Sequence, residues 1–185
     1  MPRRCALGTA RQNANVRRLA YPVAMTSDST DPALPTNDPV AQAIEALTRS
    51  PNEANRARFY RSLRQGALYL ALRESIGFSD MELLGVKGDM RVLRTVRGTD
   101  VAYLAVSMPD GKKALAAFTD PDSLLKRVPA GHGMCLTTTE VLEKVIAENF
   151  DGLIVNPAGP WAGAPREDVE YLLQGVWDAE NVPDA

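Results

Sequence analysis

Apolar residues recur along this 185-residue chain in two rhythms, and the change falls near Gly66. Before it, Val40, Ile44 and Leu47 repeat at helical spacing behind Asp38-Pro39, a capping residue and a first-turn proline, which predicts a helix over about 39–48. Ser50-Pro51-Asn52-Glu53 has the form of a capping box with proline at the first helical position. Phe59, Tyr60 and Leu63 then supply one apolar stripe, so a second helix is expected over about 51–65, closing a helical hairpin. After Gly66 the apolar runs shorten to strand length. Ala67–Leu72 is apolar at every position, the pattern of a strand buried on both faces. Arg91–Val96 is a weaker strand candidate and Val101–Met108 the clearest one. Pro109-Asp110-Gly111 turns the chain from it into Lys113–Phe118, a β-hairpin. Both alternating sets of the Val101–Val106 stretch are mostly apolar, which places that strand inside a sheet covered on both faces.

The second half alternates helix and strand. Asp120-Pro121 repeats the cap-plus-proline signal and opens a short helix through Leu124 and Leu125, followed by a loop over Val128–Gly133 and a brief strand at Met134–Leu136. Thr137 and Glu140 form a capping box for a helix whose core face is Val141, Leu142, Val145 and Ile146; it should end near Asn149, with Gly152 as the stop. Leu153–Val155 reads as a final buried strand and Asn156–Gly163 as a loop that must turn sharply. Pro165 and Glu167 open the last helix, with Val169, Leu172, Leu173 and Val176 on its core face. This order predicts an α/β (mixed α+β) fold: a central mixed β-sheet flanked by helices, with an N-terminal helical hairpin.

Composition removes several classes. With 45% apolar and 24% charged residues the chain is not wholly disordered, and its two cysteines cannot frame a disulfide scaffold. No run approaches the roughly 18 apolar residues of a membrane helix, so no membrane partner is expected. The formal charge of −2 hides an asymmetry. Residues 1–24 hold Arg3, Arg4, Arg11, Arg17 and Arg18 with no acid, which leaves 16 bases against 23 acids, a net charge of −7, for the remainder. Residues 1–37 therefore read as a disordered leader, basic and then polar, with Met25 as an alternative start; 38–177 reads as a single domain and 178–185 as a frayed tail. A start at Met25 would leave Cys135 as the only thiol, which suits a reducing cytoplasm. The acidic domain also argues against nucleic acid as a partner.

Few residues invite chemistry. His132 and Cys135 stand three apart, but two ligands do not make a metal site and no third group is evident for a Cys-His nucleophile, so neither a metal nor a cofactor is assigned. Asp120 is explained as a helix N-cap. Neither a Gly-x-Ser-x-Gly elbow nor a His-Glu-x-x-His helix is present, and no catalytic residue is assigned. The Asn156–Gly163 loop stands out, because open sheets of parallel strands bind ligands at the carboxyl ends of their strands. In it, Asn156, Pro157 and Gly159 would shape a platform, and Trp161, hard to bury in so bent and polar a segment, would anchor a protein partner. Alternatively, Asn156 bonds the turn backbone and Trp161 folds down to close the core.

One further pattern lies in the order of these features. A strand ending Ala117-Phe118-Thr119-Asp120 before a short helix, then a capped helix, then a buried strand ending Val155-Asn156-Pro157-Ala158-Gly159 resembles the N-terminal domain of the SseB family. The opening Ala43-Ile44-Glu45-Ala46-Leu47 with Phe59-Tyr60-Arg61-Ser62-Leu63 before a Leu-Tyr-Leu strand fits the same pattern, so the resemblance spans roughly 38–175. It implies a bacterial, cytoplasmic protein of unassigned activity. The expectation is a non-catalytic protein-interaction module whose surface is Trp161, Asn156, Pro157 and Gly159 with the neighbouring strand end at Phe118 and Asp120. The alternative is a small-ligand domain or enzyme with its pocket at the strand ends near Asn156 and Asp120. A homodimer through a Trp161 patch is a third possibility.

Overall fold

The chain is described by a computed structural model covering residues 34–72, 81–95 and 102–175, all within one compact unit, Asp31–Ala185. The start of the leader, the Val101 end of the expected strand, Val96, Val176 and the tail lie outside the described residues. Two helices, α1 (Asp38–Arg49) and α2 (Glu53–Ser62), lead into β1 (Ala67–Ala71), and the strands β2 (Met81–Lys87), β3 (Asp89–Thr95), β4 (Ala105–Ser107) and β5 (Lys113–Phe118) follow. The remainder is α3 (Pro121–Arg127), β6 (Ala130–Thr137), α4 (Thr138–Ala147), β7 (Gly152–Val155), β8 (Ala162–Pro165) and α5 (Arg166–Leu173). This is the expected mixed α/β architecture with its helical hairpin.

Among the described residues the strands form one eight-stranded sheet in the order β2-β3-β6-β1-β5-β7-β8, with β4 on β5. Pairs β3–β6 and β5–β7 are parallel and the others antiparallel. From β5 the chain crosses through α3 to β6, then returns in the opposite sense through α4 to β7. Crossovers of one hand in opposite senses put their helices on opposite faces of the sheet. Accordingly Leu124 of α3 packs with Tyr69, Phe118 and Cys135 on one face, while Val141 and Val145 of α4 join Leu68, Leu70 and Leu115 on the other. Helices α1, α2 and α5 also cover the α4 face.

Several local expectations are corrected. Asn37, not Asp38, stands at the N-cap position of α1, and its side chain makes no capping bond because it is used elsewhere. No capping box forms at Ser50 and Glu53, because Asn52 is the N-cap and accepts from the Asn55 N–H. The Val101–Met108 candidate narrows to Ala105–Ser107 among the described residues and is only half-buried. There β4 continues the line of β1 along one edge of β5, with Leu104 N–H donating to Ala71 C=O and Tyr103 bridging Leu72. The expected loop at Val128–Gly133 is mostly strand: β6 begins at Ala130 because β3 gives it a parallel partner from Asp89. Strand β3 answers to the Arg91–Val96 candidate but begins at Asp89, its partner β2 was not expected, and β8 takes the last two residues of the expected loop and runs on through Pro165, which was expected to open the last helix; α5 starts at Arg166. Gly152 does not stop a helix. Asn149 takes the left-handed turn (φ +55°), and Gly152 is needed because a Cβ there would lie 2.6 Å from the Ala164 carbonyl oxygen of β8.

Candidate functional site

The carboxyl ends of the parallel pair β5 and β7 meet the start of β1 and of α1, and their polar groups form one closed network. Asn156 follows β7 in the left-handed region (φ +57°), a conformation Asn tolerates better than most side chains. Its Oδ1 accepts from Thr119 N–H at 3.0 Å and its Nδ2 donates to Thr119 Oγ1 at 2.9 Å. The Thr119 hydroxyl then donates to Asp120 Oδ2 at 2.7 Å. Asp120 is the N-cap of α3, accepting from Ser123 N–H at 2.7 Å and from the Ser123 hydroxyl at 2.8 Å. Burial opposes the charge on Asp120, but the hydrogen bonds from Ser123 and Thr119 outweigh it and hold the carboxyl below its ordinary pKa.

Asn37 closes this end of the sheet. Its backbone N–H donates to Thr119 C=O at 2.8 Å, and its Nδ2 donates to the carbonyls of Gln65 and Ala67, each at 3.1 Å. The fit is tight: Gly66, at φ +88°, stands where any Cβ would meet Asn37 Nδ2 at 2.7 Å. Leu34–Asn37, which composition assigns to the leader, are thus tied to the domain, and Tyr69 OH adds a hydrogen bond to Pro35 C=O at 2.6 Å. Asn37 was not legible as a site residue, since an Asn before Asp-Pro signals only a helix start.

The turn after Asn156 has a different character. Trp161 is 58% exposed. It lines a groove of about 740 Å³ together with Pro51, Arg56, Tyr60, Pro160 and Asp168; Gly159 lies on the same rim. Beneath it Tyr60 OH donates to Asp168 Oδ2 at 2.6 Å and links α2 to α5. Burial, reinforced by this hydrogen bond to a carboxylate, raises the Tyr60 pKa well above the ordinary phenol value. Of the residues expected to form one surface, the structure puts Gly159 and Trp161 on this groove. Asn156 and Asp120 bond within the network, Pro157 is half-buried, and Phe118 is 0% exposed in the core.

His132 and Cys135 are parted by strand geometry. Side chains three residues apart on a regular strand face opposite ways, and β6 keeps regular register with both neighbours. His132 pairs in register with Arg91, and burial with that neighbouring cation lowers its pKa. Burial pushes the Cys135 thiol up, its hydrogen bond with Tyr69 notwithstanding. Cys135 lines a second cavity, of about 650 Å³, with Glu82, Arg94 and Glu140. Among the described residues no three or more His, Cys, Asp and Glu side chains are grouped to hold a metal ion, and no helix is long and apolar enough to cross a membrane.

Against known proteins, the family described as SseB protein N-terminal domain matches residues 40–165 of the chain. No curated protein and no solved structure matches it.

Proposed function

Because the chain belongs to the SseB family through this N-terminal domain, we propose that residues 38–177 act as a non-catalytic protein-interaction module that seats a partner in the Trp161 groove. The observation that carries this reading is the exposure of Trp161 beside a groove whose floor is held by the Tyr60–Asp168 hydrogen bond. Leaving a large aromatic surface in water forgoes burial that elsewhere contributes about 1.5–3 kcal/mol per side chain, and a partner recovers it. Aromatic anchors in preformed hollows dominate the energetics of many interfaces. The surface is therefore narrower than the sequence suggested: Trp161, Gly159 and Pro160 face the partner, while Asn156 sets the turn. A small-ligand or enzymatic site at Asn156 and Asp120 has less support, because their side chains are engaged with Thr119 and Ser123. We place the protein in a bacterial cytoplasm, which suits the free thiol of Cys135.

The test is affinity capture of the full chain from lysate, comparing wild type with Trp161→Ala by quantitative mass spectrometry after matching their thermal unfolding. A specific protein held by wild type and lost by Trp161→Ala is the expected result. Identical captures from both proteins would remove the groove from consideration.

A further inference from the structure

We propose that the outer edge of β2 joins two copies of this chain, strand to strand and antiparallel, so that the two sheets become continuous. Strand β2 ends the sheet, and among the described residues none pairs with its outer edge. An edge strand presents a row of free backbone donors and acceptors, which natural proteins usually blunt. Here Leu83 and Val86 remain 55% and 44% exposed.

The bulge in β2 decides how a second copy would fit. Leu83 pairs with Leu93 but Gly85 pairs with Val92, so Leu84 is the extra residue. Leu84 and Gly85 consequently share the face of Val92, along with Glu82 opposite Arg94 and Lys87 opposite Met90. Leu83 and Val86 lie together on the other face, opposite Leu93 and Arg91. The order of faces from Glu82 to Lys87 is thus a palindrome about the Leu84–Gly85 bond. Side chains paired across a continuous sheet must share a face, and a shift of one residue reverses every one of them. Only a two-fold axis through Leu84–Gly85 meets that condition over the whole segment. It places Leu83 against the partner's Val86, Leu84 against the partner's Gly85, and Glu82 against the partner's Lys87.

The same register therefore pairs the two exposed apolar side chains with each other and opposite charges at both ends. Lys87 also bridges Asp122 at 3.3 Å, with both side chains largely in solvent; a pair so exposed contributes little and leaves the ammonium able to reach a second carboxylate. Symmetric pairing of one patch with itself is the usual geometry of a dimer. This surface is on the opposite edge of the sheet from β8 and the Trp161 turn, so it stands independently of the groove.

Sedimentation velocity of the full chain across a wide concentration range tests the proposal. Wild type should double in mass as concentration rises. Glu82→Lys and Lys87→Glu each replace two attractive cross-strand pairs by repulsive ones and should weaken the dimer about tenfold or more. The double variant, with its charges exchanged, should restore it; Leu83→Glu should abolish it; Trp161→Ala should leave it unchanged. A wild-type monomer at every concentration would overturn the proposal. So would a dimer indifferent to both single reversals and to Leu83→Glu, or a double variant as weak as the singles.

Discussion

The turn after β7 begins in one kind of environment and ends in another. At Asn156 the polar atoms are drawn inward and matched: the side-chain amide of Asn156, the backbone and hydroxyl of Thr119 and the carboxylate of Asp120 all bond one another. At Trp161 an aromatic side chain stands in solvent above a groove. Both ends are rich in residues that attract functional readings, yet only the second has anything left to offer a partner. A buried polar group without a partner costs about 1–3 kcal/mol, so polar residues at strand ends are satisfied by one another whether or not they do chemistry. Apolar exposure has no such internal remedy. On the function proposed above, the first end positions the turn and the second recognises the partner.

Substitutions can break this contrast, and their effects on stability should fall in a definite order. Phe118→Ala removes a fully buried ring beneath the closed end and should cost about 3–5 kcal/mol in urea unfolding. Asn156→Ala leaves the buried Thr119 N–H without its acceptor and puts at φ +57° a residue that tolerates the left-handed region less well than Asn, a loss of about 1–3 kcal/mol. Asn156→Gly, which accepts that backbone freely, should recover part of it. If Asn156→Ala unfolds like wild type, the network is not what holds the turn.

Asp120→Ala should cost about 1 kcal/mol through the lost cap. A pH signature belongs to the same residue. Its carboxyl is held below the ordinary value in the folded chain, so it stabilises above the unfolded carboxylate range and that contribution disappears as pH falls through the folded value. Asp120→Asn keeps a capping side chain but cannot ionise. Its unfolding free energy should be lower than that of wild type at neutral pH and converge with it in acid; a gap independent of pH would show that the charge contributes nothing. Smallest of all, Trp161→Ala should change stability by no more than about 0.5 kcal/mol, as exposed positions do, while removing the captured partner. A large loss of stability there would make Trp161 a structural residue and sharpen the contrast in the opposite sense.

Parts of this site were readable from short segments. Asp120-Pro121 and Thr137 with Glu140 announce their caps because the bonds involved span three residues, and both form as expected. The turn around Trp161 left two readings open, an exposed anchor or a ring folded onto the core, and only the structure, with the side chain 58% exposed, chose between them. Asn37 was not readable, since its partners lie 28 and 30 residues away. Nor was the strand geometry that turns His132 and Cys135 to opposite faces, since Ala130–Gly133 reads as loop. The Tyr60–Asp168 bond spans 108 residues and leaves no local trace.

What the sequence determined by itself is whatever depends on neighbours in the chain: the helical hairpin, the two later caps, the apolar strands β1, β5 and β7, and the mixed α/β class. Tertiary structure alone decided that β6 starts at Ala130, that β4 yields part of its length to β1, that Asn37 closes the strand ends and that Trp161 overlooks a groove. In each case the deciding hydrogen bond or contact comes from a segment far along the chain, and a residue's own neighbours carry no information about which distant backbone will supply it.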